Sequence, residues 1–276
     1  MIRHVTDRDD PALEDFRDIQ DRDRRGPDGR PGVFIGEQTL VVEKMLTMPH
    51  LLRRILVSET RQDWLETVLS RHDHPTVECL VAPQSMLESI AGFPIHRGVI
   101  ASGDRSRLDR RSLDDVIPTD SDTDATLLVC ESIRNIDNIG MLFRTAAAFG
   151  VTGVILSPDC HDPLYRKSLR VSIGHALSIP FTRSKNLLVD LEAVQDRGFE
   201  LVGASIAGQV EVTETSVPGR RRNALVVGSE FDGLSDATTA MCDRLLRIGM
   251  ARGVDSLNVA VASAVLLDRL TTAPRV

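Results

Sequence analysis

The run Arg247-Ile248-Gly249-Met250-Ala251-Arg252-Gly253-Val254-Asp255-Ser256-Leu257-Asn258-Val259-Ala260-Val261-Ala262 decides the fold. Leu245, Leu246 and Ile248 form a short apolar stretch that reads as the end of a buried strand. Gly249 and Gly253 follow in a loop, where glycine permits backbone angles that other residues resist. Ser256 is the expected N-cap, because its hydroxyl can accept from the free backbone N–H groups of a first helical turn. The segment after it is small and apolar on most sides, which predicts a buried helix. The polar pair Ser256 and Asn258 then lies at the mouth of something buried, where a site is expected. Taken alone, the same residues also fit a capped core helix.

The same alternation continues upstream. Leu127, Leu128, Val129 and Cys130 read as a strand buried on both faces. After a polar loop, Asn138 is the expected cap of a helix with Ile139, Leu142, Phe143, Ala146 and Ala147 on one face. Gly150 ends it, and 154–156 is the next strand, so a parallel sheet is expected. Helices over about 166–177, 186–197 and 236–243 alternate with strands over 179–182, 200–204 and 224–228, in keeping with an α/β domain over 125–276. Residues 32–101 alternate in the same way over a shorter length and read as a small α/β domain. Residues 1–31 are dense in charge, with Asp21 to Arg30 the extreme case, and are expected to form a loop or mobile arm. Residues 102–124 carry a run of arginines, then of aspartates, and read as an interdomain linker.

A chain of 276 residues with 42% hydrophobic and 26% charged content is globular in type. No apolar run reaches the roughly 20 residues that span a bilayer. The charged N-terminus has no secretory pattern, so a cytoplasmic location is expected. Cys79, Cys130, Cys160 and Cys242 are scattered, which excludes a zinc motif or a disulfide framework by spacing. Cys160-His161 lacks companion ligands, and no metal is expected. The net charge of −7 argues against an overall nucleic-acid-binding surface but leaves a local one open. The positive charge is almost all arginine, which suits bidentate phosphate contacts, although genome composition explains the same bias.

Three polar constellations follow apolar strands or open helices: Asn138 with Arg144, the stretch from Gly228 through Glu230 to Ser235, and the stretch from Ile248 to Asn258. In open parallel sheets, ligands bind at the carboxyl ends of the strands, so the three loops suggest one shared pocket. No G-x-G-x-x-G follows a strand, and neither a phosphate-binding G-x-x-x-x-G-K-[ST] nor a G-x-S-x-G elbow occurs. Glu230 also reads as an ordinary turn acid, Arg144 as a snorkelling surface arginine, and His175 as structural.

Together the stretches 138–150, 225–235 and 248–262 resemble, in composition and order, the three motifs of the SpoU (TrmH-type) RNA ribose 2′-O-methyltransferases of the SPOUT group. The resemblance covers roughly residues 125–270. The small N-terminal domain is similar, more loosely, to the RNA substrate-binding domain that many members carry. The resemblance implies a C-terminal parallel sheet closed by a trefoil knot, one of the rare exceptions to the rule against knots. It implies S-adenosyl-L-methionine held in the knot loops, with Gly228, Ile248 and Leu257 lining its pocket. Arg144 falls at the family's catalytic arginine position, and Asn138, Glu230, Ser256 and Asn258 at its supporting polar positions. It further implies a homodimer whose site is completed across the interface, and an RNA substrate. Ribosomal RNA is the first expectation and transfer RNA the second. The chain departs from the pattern at Gly249, where the family usually has proline; this loosens the expected cofactor loop. A catalytically idle RNA-binding protein and a small-molecule methyltransferase are the alternatives.

Overall fold

The computed structural model describes residues 2–17, 19, 32–72, 77–95, 97–208, 210–212 and 222–271. The chain divides into two compact units: residues 1–107 with 163–177, and residues 108–162 with 178–276.

The first unit is built on a five-stranded sheet of order β1-β4-β3-β5-β2. Its strands are β1 (Ile2–His4), β2 (Val33–Glu37), β3 (Leu52–Ser58), β4 (Glu78–Ala82) and β5 (Val99–Asp104). β4 pairs in parallel with β1 and β3, whereas β5 pairs antiparallel with β2 and β3. Helices α1 (Thr39–Leu46), α2 (Gln62–Leu69) and α3 (Gln84–Ala91) bury their apolar stripes. Leu56, Leu80 and Ile100 of the sheet pack with Leu87 and Ile90 of α3 and with Leu13 and Phe16 from the N-terminal segment.

That last contact corrects the expectation of an arm. Residues 2–4 add a strand beside β4, and Pro11–Phe16 forms a 3-10 turn capped by Asp10, whose carboxylate accepts from the Ala12 amide. Several of the segment's charges are paired, some of them with residues far along the chain. Arg3 binds Asp10 and Glu78. The buried Asp15 accepts from Ser102 Oγ at 2.8 Å and lies within 3.1 Å of Arg53 and 3.3 Å of Arg54. The densest part of the expected arm, 21–31, lies outside the described residues.

The expected linker is also structured. Ser102, Gly103 and Asp104 continue β5 opposite Ile35, Phe34 and Val33, and Arg105 is buried. α4 (Ser106–Asp109) follows, then a 3-10 turn at Leu113–Asp115 closed by a Ser112–Asp115 capping box. Val116 and Ile117 are core residues of the second unit.

The second unit holds a seven-stranded sheet of order β10-β12-β9-β11-β6-β7-β8. The strands are β6 (Ala125–Cys130), β7 (Gly153–Leu156), β8 (Phe181–Arg183), β9 (Glu200–Ala204), β10 (Val210–Glu211), β11 (Arg222–Val227) and β12 (Arg244–Arg247). Among the described residues every pairing is parallel. β6 and β11 are buried along their whole length, which is why Leu127–Cys130 and Ala224–Val227 read as apolar runs. Helices α5 (Ile136–Ala148), α8 (Leu187–Asp196), α9 (Asp236–Met241) and α10 (Val259–Leu270) belong to this unit. α10 packs on α5, β11 and β9. No helix among the described residues is long and apolar enough to cross a membrane.

The continuous helix expected over 166–177 is instead two pieces. α6 (Arg166–Val171) stops where Ile173 and Gly174 take positive φ of 53° and 75°, and α7 (His175–Ser178) restarts after them, with His175 at its first position. α6 is part of the first unit, where Arg166 pairs with Glu37 at 2.7 Å and its guanidinium lies 4.1 Å from the centre of the Phe93 ring.

Candidate active site at the strand ends of the second unit

The carboxyl ends of β9, β11 and β12 open onto a cavity of about 260 Å³. Ala204, Val227 and Leu246 form its floor, and the loops that follow those strands form its walls. Gly228, Ile248, Ser256 and Leu257 all line it. Among the described residues, the charged side chains in the lining are Glu230 and Asp232.

Gly228 is required by the loop itself. A Cβ there would come within 2.0–2.4 Å of the backbone of Gly233 and Leu234. That close approach exists because residues 229–233 form a closed loop. Ser229 and Gly233 exchange backbone hydrogen bonds of 3.1 and 3.0 Å, and Gly233 has a φ of 67°. The loop therefore holds Glu230 at a defined height over the cavity.

Glu230 meets two asparagines distant in sequence. Asn138 Nδ2 donates to Glu230 Oε1 at 2.5 Å, Asn258 Nδ2 donates to the same oxygen at 3.1 Å, and Asn258 Nδ2 also donates to Asn138 Oδ1 at 2.8 Å. Each amide is fixed from behind. The N-cap of α10 is Asn258, whose Oδ1 accepts from Ala260 N and Val261 N. Ser256, the expected cap, is an exposed residue of the cavity wall. Likewise α5 is capped by Asn135, which accepts from Asp137 N and Asn138 N. This leaves the expected cap, Asn138, buried in the first turn with its side chain free to serve the site. In both cases several polar residues precede the helix, and propensity alone does not choose among them.

The family model of the SpoU rRNA methylase family matches residues 125–268. An uncharacterised tRNA/rRNA methyltransferase of Mycobacterium tuberculosis is 34% identical over 267 residues, 95% of this chain and 89% of that protein. The chain belongs to the SpoU rRNA methylase family. A 23S rRNA (guanosine-2′-O-)-methyltransferase of Bordetella pertussis is 31% identical over 228 residues, 82% of this chain and 91% of that protein. Among solved structures, the SpoU methyltransferase AviRb of Streptomyces viridochromogenes in complex with AdoMet superposes with a TM-score of 0.72. Its identity is 25%, with 94% of this chain and 96% of that chain covered.

Within this SpoU chain, Arg144 stands apart from the triangle. It lies on the exposed face of α5, one turn beyond the exposed Met141, whereas Asn138, Ile139, Leu142, Phe143 and Ala146 face inward. Among the described residues no side chain or backbone group pairs with its guanidinium. The structure thus joins Asn138, Glu230 and Asn258 directly. It gathers Gly228, Ile248, Ser256 and Leu257 around the cavity, and it leaves Arg144 outside both sets.

One contributor escaped the sequence reading. The Glu131 carboxylate, just after β6, accepts from Ser235 N at 3.0 Å, Ser235 Oγ at 2.8 Å and Thr238 Oγ1 at 2.8 Å. It ties the start of α9, and with it the far end of the Glu230 loop, to the central sheet. Its partners lie 104 and 107 residues away, and a lone acid after a strand carries no local signal of them.

Cys160 is accounted for without a metal. Its thiol donates to Cys130 O at 3.2 Å and accepts from Ile133 N at 3.3 Å, and burial pushes its pKa up. No group of three or more His, Cys, Asp or Glu suited to a metal ion occurs among the described residues.

Proposed function

We propose that this chain transfers a methyl group from S-adenosyl-L-methionine to a ribose 2′-hydroxyl of RNA, with ribosomal RNA as the first substrate and transfer RNA as the second. The observation that carries this reading is the Asn138–Glu230–Asn258 triangle at the mouth of the strand-end cavity. The two relatives, a 23S rRNA methyltransferase and a tRNA/rRNA methyltransferase, support it.

The residues present fit the cofactor. It carries a sulfonium and an ammonium, and among the described residues the charged groups lining the cavity are carboxylates. Ile206, Leu234, Ile248, Met250 and Leu257 offer apolar surface suited to an adenine ring. Gly228, Ile248 and Leu257 would hold it, and what it supplies there is an electrophilic methyl group. AviRb in complex with AdoMet, with a like fold, supports the choice of cofactor.

The chain's own residues have three tasks in this scheme. The two asparagines orient the Glu230 carboxylate, so the wall of the site needs no rearrangement at the moment of reaction. Holding donor and acceptor in line contributes up to ~7–11 kcal/mol in well-oriented systems. Arg144 stabilises the oxygen as negative charge develops on it and clamps an adjacent phosphate, as a bidentate guanidinium does. Arginine is not deprotonated in proteins, so the guanidinium serves as a fixed positive charge and not as the base.

Arg144, exposed and without a partner among the described residues, is placed to serve a site that a second copy of the chain brings to it. Met141 on α5 and Val261 and Val265 on α10 are exposed apolar residues on two helices that pack together. Val261 and Val265 are four residues apart and share a stripe. Such a stripe is suited to self-association. In the resulting homodimer, Arg144 of one copy completes the cavity of the other. The trefoil knot belongs to this proposal as well, supported by a strand order in which β12 lies beyond β9 while α10 returns to β11. The first unit is proposed as the part that grips structured RNA.

The test is incubation with tritiated S-adenosylmethionine and unmodified 23S rRNA and tRNA transcripts, followed by nuclease digestion and identification of the labelled nucleoside. A 2′-O-methyl nucleoside is expected. Saturable cofactor binding with no transfer to either RNA would favour an idle RNA-binding protein of the same fold. Transfer to a small acceptor without RNA would favour a small-molecule enzyme.

A further inference from the structure

The chain has eight phenylalanines, one tryptophan and one tyrosine. Every one of them except Phe231 is buried or half-buried, and Phe231 is 96% exposed. It sits between Glu230 and Asp232 and lines the mouth of the cavity. The loop that carries it is closed by the paired Ser229 and Gly233 backbones and by Asp232 N donating to Ser229 Oγ at 3.0 Å. A large apolar ring is therefore presented to water by a constrained loop, beside the best-fixed carboxylate of the site. Folding gains nothing from such exposure, because the ring leaves almost none of its surface out of water.

We infer that Phe231 is the stacking platform for a nucleobase of the RNA substrate, either that of the methylated nucleotide or that of its neighbour. The inference rests on the RNA-methylation reading above and adds a substrate-positioning residue to it. A phenyl ring offers a π face and no hydrogen-bonding group, so it holds an unstacked base without reading its identity. The carboxylates on either side repel phosphate, which leaves the ring face as the part of the loop tip that a nucleotide can use. The competing occupant is a second copy of the chain. The apolar stripe suited to that role lies on α5 and α10, however, and Phe231 lies on neither helix.

The experiment compares wild type, Phe231→Ala and Phe231→Trp as full-length chains on whichever of the 23S rRNA and tRNA transcripts wild type methylates. It reads KM for RNA, kcat, cofactor affinity by calorimetry and mass by sedimentation. Stacking of one base is worth roughly a 5- to 150-fold change. Phe231→Ala is therefore expected to raise KM for RNA at least ~5-fold, with cofactor affinity and mass unchanged. Phe231→Trp should restore KM, and RNA should quench its added fluorescence. Unchanged KM in Phe231→Ala overturns the inference while the methyltransferase reading stands. Lost cofactor affinity, with normal RNA kinetics at saturating cofactor, overturns it in favour of a cofactor cover. Dissociation to monomers overturns it in favour of a subunit contact. A wild-type chain that methylates neither transcript overturns the RNA reading and this inference with it.

Discussion

Two parts of α5, less than two turns apart, are in opposite states. In the first turn Asn138 is buried and held on three sides, by Asn135 behind it and by Glu230 and Asn258 in front. Further along, Met141 and Arg144 face solvent, and no described residue pairs with the guanidinium. The contrast separates what one chain can preorganise from what it must obtain elsewhere. A carboxylate needs fixed donors, and the fold provides them at closing distances. An arginine meant for an incoming phosphate or alkoxide has to be left unsatisfied until that partner arrives.

The largest effect expected from breaking this contrast is at Arg144. Arg144→Ala should lower kcat ~100- to 1,000-fold, the range for removing one electrostatic stabiliser. Cofactor affinity and melting temperature should stay near wild type, because the side chain has no structural partner to lose. Steady-state methyl transfer with calorimetry and thermal unfolding checks this. Wild-type turnover would remove Arg144 from the mechanism. If the arginine serves the opposite copy, mixing Arg144→Ala with inactive Asn258→Ala should recover about a quarter of wild-type activity through hybrid dimers. No recovery would place Arg144 in its own chain's site.

Next in size is the fixed half. Asn258→Ala removes the cap of α10 and a donor to Glu230 in one step. It should destabilise the chain by ~1–2 kcal/mol, mostly through the cap, and also weaken cofactor binding. Asn258→Asp keeps the capping oxygen but sets a second carboxylate beside Glu230. Stability closer to wild type with activity still lost would separate the two duties of this residue. Denaturant unfolding and calorimetry on both variants are the measurements.

Val265→Asp tests the exposed side of the comparison at longer range. It places a charge on the apolar stripe of α10 and should shift sedimentation toward the monomer, with Asn138–Glu230–Asn258 untouched. Activity should fall in step with dimer content and return at high protein concentration. A monodisperse monomer in the wild type would refute the shared site.

The smallest effect is expected at Gly249. Its backbone is not in the left-handed region, and an added Cβ would meet only the Glu211 carboxylate, the far end of a flexible side chain. Gly249→Pro should therefore be accepted, stabilising by ~0.4–1 kcal/mol through the unfolded state and tightening cofactor binding a few-fold. A large loss of stability would mean that this loop needs the freedom of glycine.

Much of this was legible in the residues. Apolar runs such as Leu127–Cys130 and Ala224–Val227 mark the central strands because the parallel sheet buries both their faces, and the three polar stretches fall at strand ends or helix starts as that architecture requires. Helix starts were read less well. Ser256 and Asn138 looked like caps, but Asn258 and Asn135 hold those positions. Several polar residues precede each helix, and small differences in packing decide which of them takes the extended backbone of a cap.

The sequence by itself determined the α/β class, the parallel order of the second unit, the family, and the short list of residues from which a site could be made. These depend on local period and spacing, which any stretch of ten or fifteen residues displays. Only the tertiary structure decided that Asn138 and Asn258 share one oxygen of Glu230, that Arg144 does not join them, and that charged residues 2–16 pack into a sheet unit. Those outcomes are set by hydrogen bonds and ion pairs between groups from 28 to more than 100 positions apart. No local pattern records such partners, because a buried polar group is satisfied by whichever complement the whole chain brings within about 3 Å of it.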